Sequence, residues 1–497
     1  MREKLQTLSV SVLRDIAKDK GIKNVTVMRK SDIIDAILAA TEKSESEPAS
    51  NSEKNGKEHS GKEYPEKEHP EKEHSEKKEI PVRTQENKPE TQNPKTEKPE
   101  KKLAVFGRPD DPYRQDYDPA LVDTHSDANG ILEVMQDGYG FIRCANYMPG
   151  DNDVYVSPAQ IKRFGLKTGD IISGLKKIKN QNEKFSALLV IKSVNGYSPP
   201  DIPKRVAFEK LTPIFPDERI HLETSRSSTA MRIVDLISPI GKGQRGMIVS
   251  PPKAGKTTLL KQVAKSITTN NKEMHLIILL IDERPEEVTD IKESIEGDNV
   301  EVIYSTFDEL PEHHKRVSEM VIERAKRLVE HGRDVCILLD SITRLTRAYN
   351  IVIAPSGRTL SGGLDPAALH MPKKFFGAAR NMREGGSLTI LATALVDTGS
   401  KMDDVVYEEF KGTGNMELVL DRKLSEKRIF PAIDIVKSGT RREDLLLSRD
   451  EQEAVDIMRK ALNGLRSDDA VERIIDLFSK TRSNAELCQV VKKTRLV

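Results

Sequence analysis

The stretch that decides the fold is Ser250-Pro251-Pro252-Lys253-Ala254-Gly255-Lys256-Thr257-Thr258. Apolar residues 246–249 precede it, and residues 259–264 follow it with the apolar spacing of a helix. A strand, a tight loop that ends in Gly-Lys-Thr and a helix are together typical of a phosphate-binding loop. Because Ser250 stands where this pattern usually has glycine, a glycine-containing turn between a buried strand and a surface helix is the alternative.

A phosphate-binding loop predicts which groups of this segment bind the phosphates of a nucleotide. The backbone N–H groups of the loop and the N-terminus of the next helix point at an anion. Lys256 adds a positive charge, and Thr257 supplies a hydroxyl ligand for Mg²⁺. The loop therefore predicts binding of a nucleotide phosphate with Mg²⁺ as its accompanying ion.

The surrounding residues 231–450 predict an α/β domain. Runs with the character of buried strands alternate with helical stretches, and four of these runs are 246–249, 275–281, 335–339 and 388–392. This alternation predicts a parallel sheet that is covered by helices on both faces.

Two of these runs end in carboxylates, at the edge where ligands lie in open α/β sheets. Asp340 follows the strand 335–339 and can hold the hydration shell of Mg²⁺, or it can cap the next helix. Asp282 and Glu283 follow the strand 277–281, and either can polarise a water for attack on a γ-phosphate. A salt bridge to Arg284 is the alternative role, and spacing alone leaves these choices open.

Residues 123–198 predict a small closed β-barrel of the OB type, because five short apolar runs separated by turns lie between 130 and 194. One run, Gly138–Arg143, places Tyr139, Phe141 and Arg143 on the same face of a strand. Two aromatic rings followed by a cation form a base-stacking platform with a partner for phosphate. The alternative is that both rings fill the barrel core.

Composition restricts the class of protein further. The 497 residues include 80 Lys+Arg and 79 Asp+Glu, so net charge does not point to a nucleic-acid partner. Three cysteines without a C-x-x-C pair predict neither a disulfide framework nor a zinc site, and a reducing compartment fits them. We find neither the apolar core of a signal peptide nor a stretch long enough to span a bilayer, and expect a cytoplasmic protein without membrane contact.

The expected organisation contains one segment without a core. Between 41 and 102, 30 of 62 residues are charged, and a Lys-Glu unit followed by His or Tyr recurs every five residues. This composition predicts a disordered polyampholyte. The expected parts are a helical module (1–40), a disordered charged insert (41–122), the barrel (123–198), a Pro-rich connector (199–230), the α/β domain (231–450) and a helical C-terminal segment (451–497).

Five blocks of sequence belong together: Asp137–Arg143, Pro251–Thr257, Ile281–Glu287, Leu339–Arg344 and Lys374–Arg380. With these blocks the chain closely resembles the bacterial transcription termination factor Rho family of hexameric RNA-dependent ATPases and helicases. The likeness covers residues 1–40 loosely and about 125–450 densely, and it does not explain the insert at 41–102. It implies a cold-shock-like OB-type barrel and a RecA-like P-loop ATPase domain.

The resemblance also implies roles for single residues of the ATP site. Glu283 matches the water-activating carboxylate, Arg441 matches an arginine finger that reaches a neighbouring subunit, and Phe430 matches an aromatic that stacks on adenine. The implied ATP-binding residues are Lys253, Ala254, Gly255, Lys256, Thr257, Thr258 and Phe430, and the implied metal ligands are Thr257 and Asp340. The catalytic set is Glu283, Lys256, Arg441 and Arg284.

Two sets of RNA contacts follow from the same resemblance. The primary site, which in this family prefers unpaired pyrimidines and cytosine especially, would consist of Tyr139, Phe141, Arg143, Tyr155, Glu183 and Phe185. A small pocket between aromatics favours a small base, so this preference has a physical explanation. The secondary site would line the central channel of a ring, through loops 353–363 and 398–401 that carry Arg358 and Lys401.

The expected protein is a homohexameric motor that binds C-rich single-stranded nascent RNA and translocates by ATP hydrolysis. It would release the transcript from RNA polymerase, with polymerase and elongation factors as partners. One alternative is another RecA-like motor, such as an ATP synthase catalytic subunit or a DNA recombinase, against which the aromatic platform speaks. Another is a non-catalytic RNA-binding protein with a nucleotide switch, against which Glu283 and Arg441 speak.

Overall fold

A computed structural model describes residues 103–107, 112–202, 204–224, 229–462 and 467–493, together with six residues near the N-terminus. Those six, Leu13, Ala17, Ile33, Ile34, Ala36 and Ile37, are helical, and all but Ala36 are buried. They therefore fit the predicted helical module. The charged stretch 41–102, with its predicted disorder, lies outside the described residues. Residues Thr96–Val497 form one compact unit.

Ordered structure begins inside the range 41–122 that was assigned to the insert. Strands β1 (Ala104–Phe106) and β2 (Gln115–Tyr117) pair antiparallel, and a short 3-10 helix (Pro119–Leu121) follows. The buried side chain of Gln115 exchanges hydrogen bonds of 3.0 and 2.9 Å with the backbone of Ile191 in the barrel. These elements, of three residues each, are too short for hydrophobic periodicity to reveal.

The predicted barrel is confirmed. Its strands close in the order β3-β4-β5-β7-β6, with β5 and β7 parallel to each other. Their bounds are β3 (Val122–Val134), β4 (Gly140–Arg143), β5 (Val154–Val156), β6 (Ile171–Lys177) and β7 (Ser186–Val194). Helix α1 (Pro158–Phe164) lies between β5 and β6; it begins at the capping box of Ser157 and Gln160 and ends at Gly165, whose φ is 60°.

The predicted α/β domain is confirmed as a nine-stranded sheet. Its main path runs β11-β10-β12-β14-β9-β15-β16, parallel from β11 to β15 and antiparallel at β16; β13 pairs antiparallel with β14, and β8 pairs with β13. The strands are β8 (Pro213–Ile214), β9 (Arg245–Ser250), β10 (His275–Glu283), β11 (Val300–Thr306), β12 (Asp334–Asp340), β13 (Arg380–Met382), β14 (Ser387–Leu395), β15 (Met416–Val419) and β16 (Gly439–Thr440).

Helices cover both faces of this sheet, so two hydrophobic clusters form, one on each side. The helices are α2 (Thr229–Ile237), α3 (Lys256–Asn270), α4 (Pro285–Ser294), α5 (Pro311–Glu330), α6 (Ile342–Val352), α7 (His370–Gly377), α8 (Lys401–Lys411), α9 (Arg422–Glu426), α10 (Arg449–Leu462), α11 (Ser467–Ser479) and α12 (Asn484–Lys493). Helices α10 to α12 bury Val455, Met458, Ile474, Phe478 and Leu487 in the same cluster as α2 and α3. The C-terminal segment is therefore part of the core of this domain.

The barrel packs closely against the α/β domain. Ile131 and Tyr147 of the barrel are buried in the cluster that α5 and α6 form with the sheet. Gly169 approaches α5 so closely that a Cβ atom there would lie 2.5 Å from the carbonyl carbon of Glu323, and its φ of +96° also favours glycine. Within the described ranges, no helix combines the length and apolarity that crossing a membrane requires.

Candidate functional site

The loop between β9 and α3 has the geometry of an anion cradle. Gly255 has a φ of 93° and immediately precedes Lys256, the first residue of α3. Positive φ costs glycine little, so the loop turns sharply and presents the helix N-terminus to solvent. Ser250 is the last residue of β9 and is buried, with its hydroxyl donating to the carbonyl of Pro251 at 2.9 Å. Ser250, which replaces the usual glycine, therefore belongs to β9, and its hydroxyl forms a hydrogen bond within the turn that follows.

A lysine–aspartate pair lies at the foot of this loop. Lys256 Nζ is 2.6 Å from Asp340 Oδ1, which also accepts a hydrogen bond of 2.7 Å from Thr393. Asp340 is the last residue of β12 and is 1% exposed. The helix that follows is capped by Ser341, which accepts from the backbone N–H of Arg344 at 3.2 Å. Since a serine caps α6, the capping alternative for Asp340 falls away.

Glu283 ends the neighbouring strand β10 beside this pair. Its side chain is buried, at 3% exposure, whereas the side chain of Asp282 is 37% exposed. Burial, followed by the negative charge of Asp340, raises the pKa of Glu283 from 4.5 to about 7. Arg344 on α6 lies 3.3 Å from Glu283 and 3.8 Å from Asp282. A buried carboxylate with a pKa near neutrality suits a general base better than its exposed neighbour does.

The raised pKa of Glu283 predicts a pH-dependent stability in the nucleotide-free protein. Folding favours the protonated form, so the cost of the ionised carboxylate is absent below about pH 4.5 and complete above about pH 7. We expect Glu283→Gln to raise the stability at pH 8 by on the order of 2 kcal/mol and to change it little at pH 5. Thermal unfolding at both pH values, with the exposed Glu286→Gln as control, measures the difference; equal effects at both pH values contradict it.

The residues near Lys256 fit a hydrated divalent cation. Asp340 Oδ2 is buried and has no hydrogen-bond partner among the described residues. The Thr257 hydroxyl donates to Glu287 at 3.2 Å, which leaves its oxygen lone pairs available to a metal. No group of three or more His, Cys, Asp or Glu side chains in the described ranges is arranged as a metal site. Mg²⁺ does not require one, because it retains several waters and binds substrate phosphates.

A cavity of about 620 Å³ adjoins the phosphate loop. Phe430, which is 51% exposed, lines it together with Gly255 and Thr258. Thr229, Leu420 and Gln262 contribute as well. The volume and mostly apolar lining suit a nucleoside, so the structure brings the predicted adenine-stacking residue to the predicted phosphate loop.

The two arginines that are predicted to be catalytic, Arg284 and Arg441, do not belong to the Lys256–Asp340 pair. Arg284 is exposed and directly precedes α4. Arg441 is exposed just beyond β16, at the opposite side of the sheet order from β10. At about 4.8 Å between neighbouring strands, the five spacings from β10 to β16 separate Arg441 from Glu283 by roughly 24 Å. Arg441 is therefore remote from the Glu283 of its own chain.

Four aromatic rings form a second surface, on the barrel. Phe141 contacts three other rings, with centroid distances of 4.9 Å to Phe185, 5.8 Å to Tyr139 and 6.1 Å to Tyr155. The four rings are partly exposed, and the barrel core consists mainly of aliphatic side chains. Phe141 and Tyr155 are paired residues on β4 and β5, which places them on one face. The alternative that these rings fill the barrel core is therefore wrong.

Arg143 has an environment other than the one expected of a phosphate contact. It is 5% exposed and forms ion pairs of 2.6 Å with Glu133 and 2.5 Å with Asp153. Its guanidinium lies 4.9 Å from the centroid of the Phe141 ring. Because two carboxylates already hold it, Arg143 supports the aromatic platform from below.

Two carboxylates flank this platform: Glu183, which is predicted for the primary site, and Asp153, which is not. Glu183 is paired with Lys177 at 2.7 Å, and the hydrogen bond from Lys177 lowers the pKa of the Glu183 carboxyl. Asp153 is 2% exposed, and its Oδ1 has no hydrogen-bond partner among the described residues. This oxygen can accept a hydrogen bond from a ligand. The sequence carries no signal for Asp153, because a carboxylate in the turn Asp151-Asn152-Asp153 is typical of the protein surface.

The two predicted channel loops lie side by side. A Cβ atom on Gly362 would be 2.4 Å from the backbone nitrogen of Met402, so the loop of Arg358 packs against the start of α8 at Lys401. Arg358 and Lys401 are both exposed. Buried Asp403 fastens the second loop, since it accepts hydrogen bonds from Thr398 at 2.6 Å and from Arg347 at 2.7 and 2.8 Å. The spacing of these residues along the chain does not predict the contacts of Asp403 with Thr398 and Arg347.

Three family models match the chain. They are the Rho termination factor N-terminal domain at residues 4–45, the Rho termination factor RNA-binding domain at 128–200, and the nucleotide-binding domain of the ATP synthase alpha/beta family at 230–440. Among solved structures, a prototypical ATPase from the type III secretion system of pathogenic bacteria is 20% identical with a TM-score of 0.48, over 62% of this chain and 95% of that one.

Relatives that match about three quarters of this chain share one name. The transcription termination factor Rho of Pseudomonas aeruginosa is 55% identical over 391 residues, which are 76% of this chain and 93% of the relative. The protein of that name from Bacillus subtilis is 57% identical, over 73% of this chain and 84% of the relative. That of Aquifex aeolicus is 56% identical with the same two shares.

Proposed function

Since this chain belongs to the transcription termination factor Rho family, we propose that it is an ATP-driven termination factor. In this role it binds C-rich single-stranded nascent RNA, translocates along it as a homohexamer and releases it from RNA polymerase. Elongation factors would be further partners, and action on nascent transcripts would place it in the cytoplasm. One observation carries the proposal: a single folded unit holds both a partly exposed aromatic platform and a buried carboxylate beside a phosphate loop.

ATP hydrolysis is assigned to the loop and strand ends of the α/β domain. The backbone of residues 253–257 and the Lys256 ammonium would bind the phosphates, which requires Lys256 to leave Asp340. Thr257 and Asp340 would then hold Mg²⁺, which supplies charge neutralisation on the phosphates. Glu283 would take a proton from water as the water oxygen bonds to the γ-phosphorus and the bond to the ADP oxygen breaks. Arg284, exposed beside it, would face the phosphates.

RNA selection is assigned to the barrel. Bases would stack on Phe141 and its neighbouring rings, since stacking tolerates any base and requires single strands. The partnerless Oδ1 of Asp153 supports the preference for cytosine, because the exocyclic amine of cytosine is a hydrogen-bond donor that uracil lacks. Arg358 and Lys401 would contact RNA in the central channel.

The hexamer is supported by the position of Arg441. An exposed arginine that lies roughly 24 Å from the carboxylate of its own chain can serve hydrolysis only in another chain. A ring of identical subunits supplies such a neighbour to every site. In that arrangement each nucleotide would lie between Phe430 of one subunit and Arg441 of the next.

The test is ATP hydrolysis by the purified full chain with poly(C) RNA, with single-stranded DNA of matched length, and with neither. We expect strong stimulation by the RNA alone. Equal rates under the three conditions would separate the ATPase from RNA and favour another RecA-like motor. RNA binding without hydrolysis would favour a binding protein with a nucleotide switch.

A further inference from the structure

One carboxylate connects the aromatic platform to the α/β domain. Glu133 on β3 accepts hydrogen bonds from Arg143 at 2.7 Å and from Arg316 at 2.7 Å to each of its oxygens. Arg143 lies under Phe141, whereas Arg316 belongs to α5. A side chain of the barrel and a side chain of the α/β domain are therefore held by the same anion.

Both ends of this connection carry an unsatisfied polar group. Oδ1 of Asp153, the second partner of Arg143, is buried without a hydrogen-bond partner in the described part of the chain. The same holds for Nε of Arg316. Buried groups of this kind are costly, so they favour a rearrangement that satisfies them. A ligand that satisfies either group would therefore change the balance of charges around Glu133.

The first turn of α5 reaches the strand that borders Glu283. His314, two residues before Arg316, shares a hydrogen bond of 2.5 Å with Ser305 on β11. Ser305 is paired with Ile281 on β10, and the N–H of Phe307 donates to the carbonyl of Glu283 at 3.2 Å. A shift of α5 would therefore move β11 against the backbone of Glu283.

A second contact joins the barrel to the same strand. Asn146 follows β4 at a φ of 45°, and its side-chain amide donates to the carbonyl of Tyr304 at 2.7 Å and accepts from the N–H of Tyr304 at 3.1 Å. Tyr304 directly precedes Ser305 on β11. The strand that carries Phe141 and Arg143 thus continues directly into a segment that is hydrogen-bonded to β11.

We propose that Arg316 is a positioning residue that links occupation of the aromatic platform to the environment of Glu283. A base that donates a hydrogen bond to Oδ1 of Asp153 weakens the hold of Asp153 on Arg143. Arg143 then pairs more strongly with Glu133, which loosens the bond from Glu133 to Arg316, and α5 shifts. By reciprocity, nucleotide bound beside Glu283 changes the affinity of the platform for RNA. This inference rests on the proposed function, since it names a device by which RNA and ATP affect each other.

The test measures the affinity of a fluorescent oligocytidine for the full chain with and without a non-hydrolysable ATP analogue and Mg²⁺. The ratio of the two affinities is the coupling factor. We expect the coupling factor of Arg316→Met to be at least about threefold closer to one than that of the wild type. Arg316→Lys keeps the positive charge and should retain most of the wild-type factor. Basal ATP hydrolysis should remain unchanged. Lys315→Met, a neighbouring cation in the same groove, is the matched control and should behave as wild type.

Two results would overturn the inference. The first is a wild-type coupling factor in Arg316→Met; if RNA affinity then falls equally with and without nucleotide, the role of Arg316 is merely structural. The second is a coupling factor of one in a wild-type protein whose ATPase is stimulated by RNA. If the wild-type protein shows no RNA stimulation, the proposed function fails as well, so the two failures are distinguishable.

Discussion

Glu283→Gln should lower the turnover of ATP by about 10²–10⁴-fold, the range that a lost general base produces. The amide keeps the size of the side chain and removes its ability to take a proton from water. Binding of ATP should persist, because Lys256 and the loop backbone are intact. Single-turnover hydrolysis measured together with binding of a fluorescent ATP analogue separates the two effects. Turnover that remains undiminished would mean that another group activates the water.

Asp282→Asn is the matched control for this experiment. The two carboxylates are adjacent in sequence, and both lie within 4 Å of Arg344. Asp282 is more than one-third exposed, so its loss should reduce turnover by no more than a few-fold. A large effect of Asp282→Asn together with a small effect of Glu283→Gln would reverse the assignment that burial favours.

Phe141→Ala should weaken binding of oligocytidine to the barrel by about 5- to 150-fold, the equivalent of one lost stacking contact at 1–3 kcal/mol. Phe141 touches each of the other three rings and the guanidinium of Arg143, so its removal also loosens the platform. Fluorescence anisotropy without nucleotide measures this affinity. Hydrolysis without RNA should stay at the wild-type rate.

Tyr113→Leu is the control for loss of an aromatic ring elsewhere on the barrel. Tyr113 stacks on Phe164 of α1 at 5.4 Å, outside the four-ring cluster. Its substitution should leave the affinity for oligocytidine within twofold of wild type. If both variants bind RNA as tightly as the wild type, the RNA contacts lie on another surface. If both weaken it equally, the loss reflects barrel stability.

The ATP site shows which features a residue pattern predicts and which it leaves open. The flanking strand and helix identified the phosphate loop in spite of Ser250, because strand–loop–helix context depends on local periodicity. The same patterns left Asp340 with two roles and did not separate Asp282 from Glu283. Those choices depend on which side chain is buried and on the cap that Ser341 supplies.

In the barrel, the sequence pattern predicts the position of Arg143 but not its partners. Alternation along β4 correctly placed its guanidinium on the face of Phe141. Its two carboxylate partners, Glu133 and Asp153, come from β3 and from the turn before β5, and no spacing in the chain relates them. An expected phosphate contact is consequently a buried support. Strands β1 and β2 do not show in the pattern for another reason, since each is only three residues long and the contact of Gln115 with β7 joins residues that are distant in the chain.

The amino-acid sequence by itself determined the main elements: the five barrel strands, the four central strands of the sheet, the phosphate loop and the aromatic strand follow from local periodicity and turn chemistry. It also determined the family, through short blocks whose residues are neighbours along the chain. Only the tertiary structure decided which charges meet, because Glu133, Arg143 and Arg316 approach one another through the packing of a barrel against a helix. Burial set the pKa of Glu283 near neutrality for the same reason. Desolvation and ion pairing are properties of folded neighbours, and these neighbours are distant in the chain.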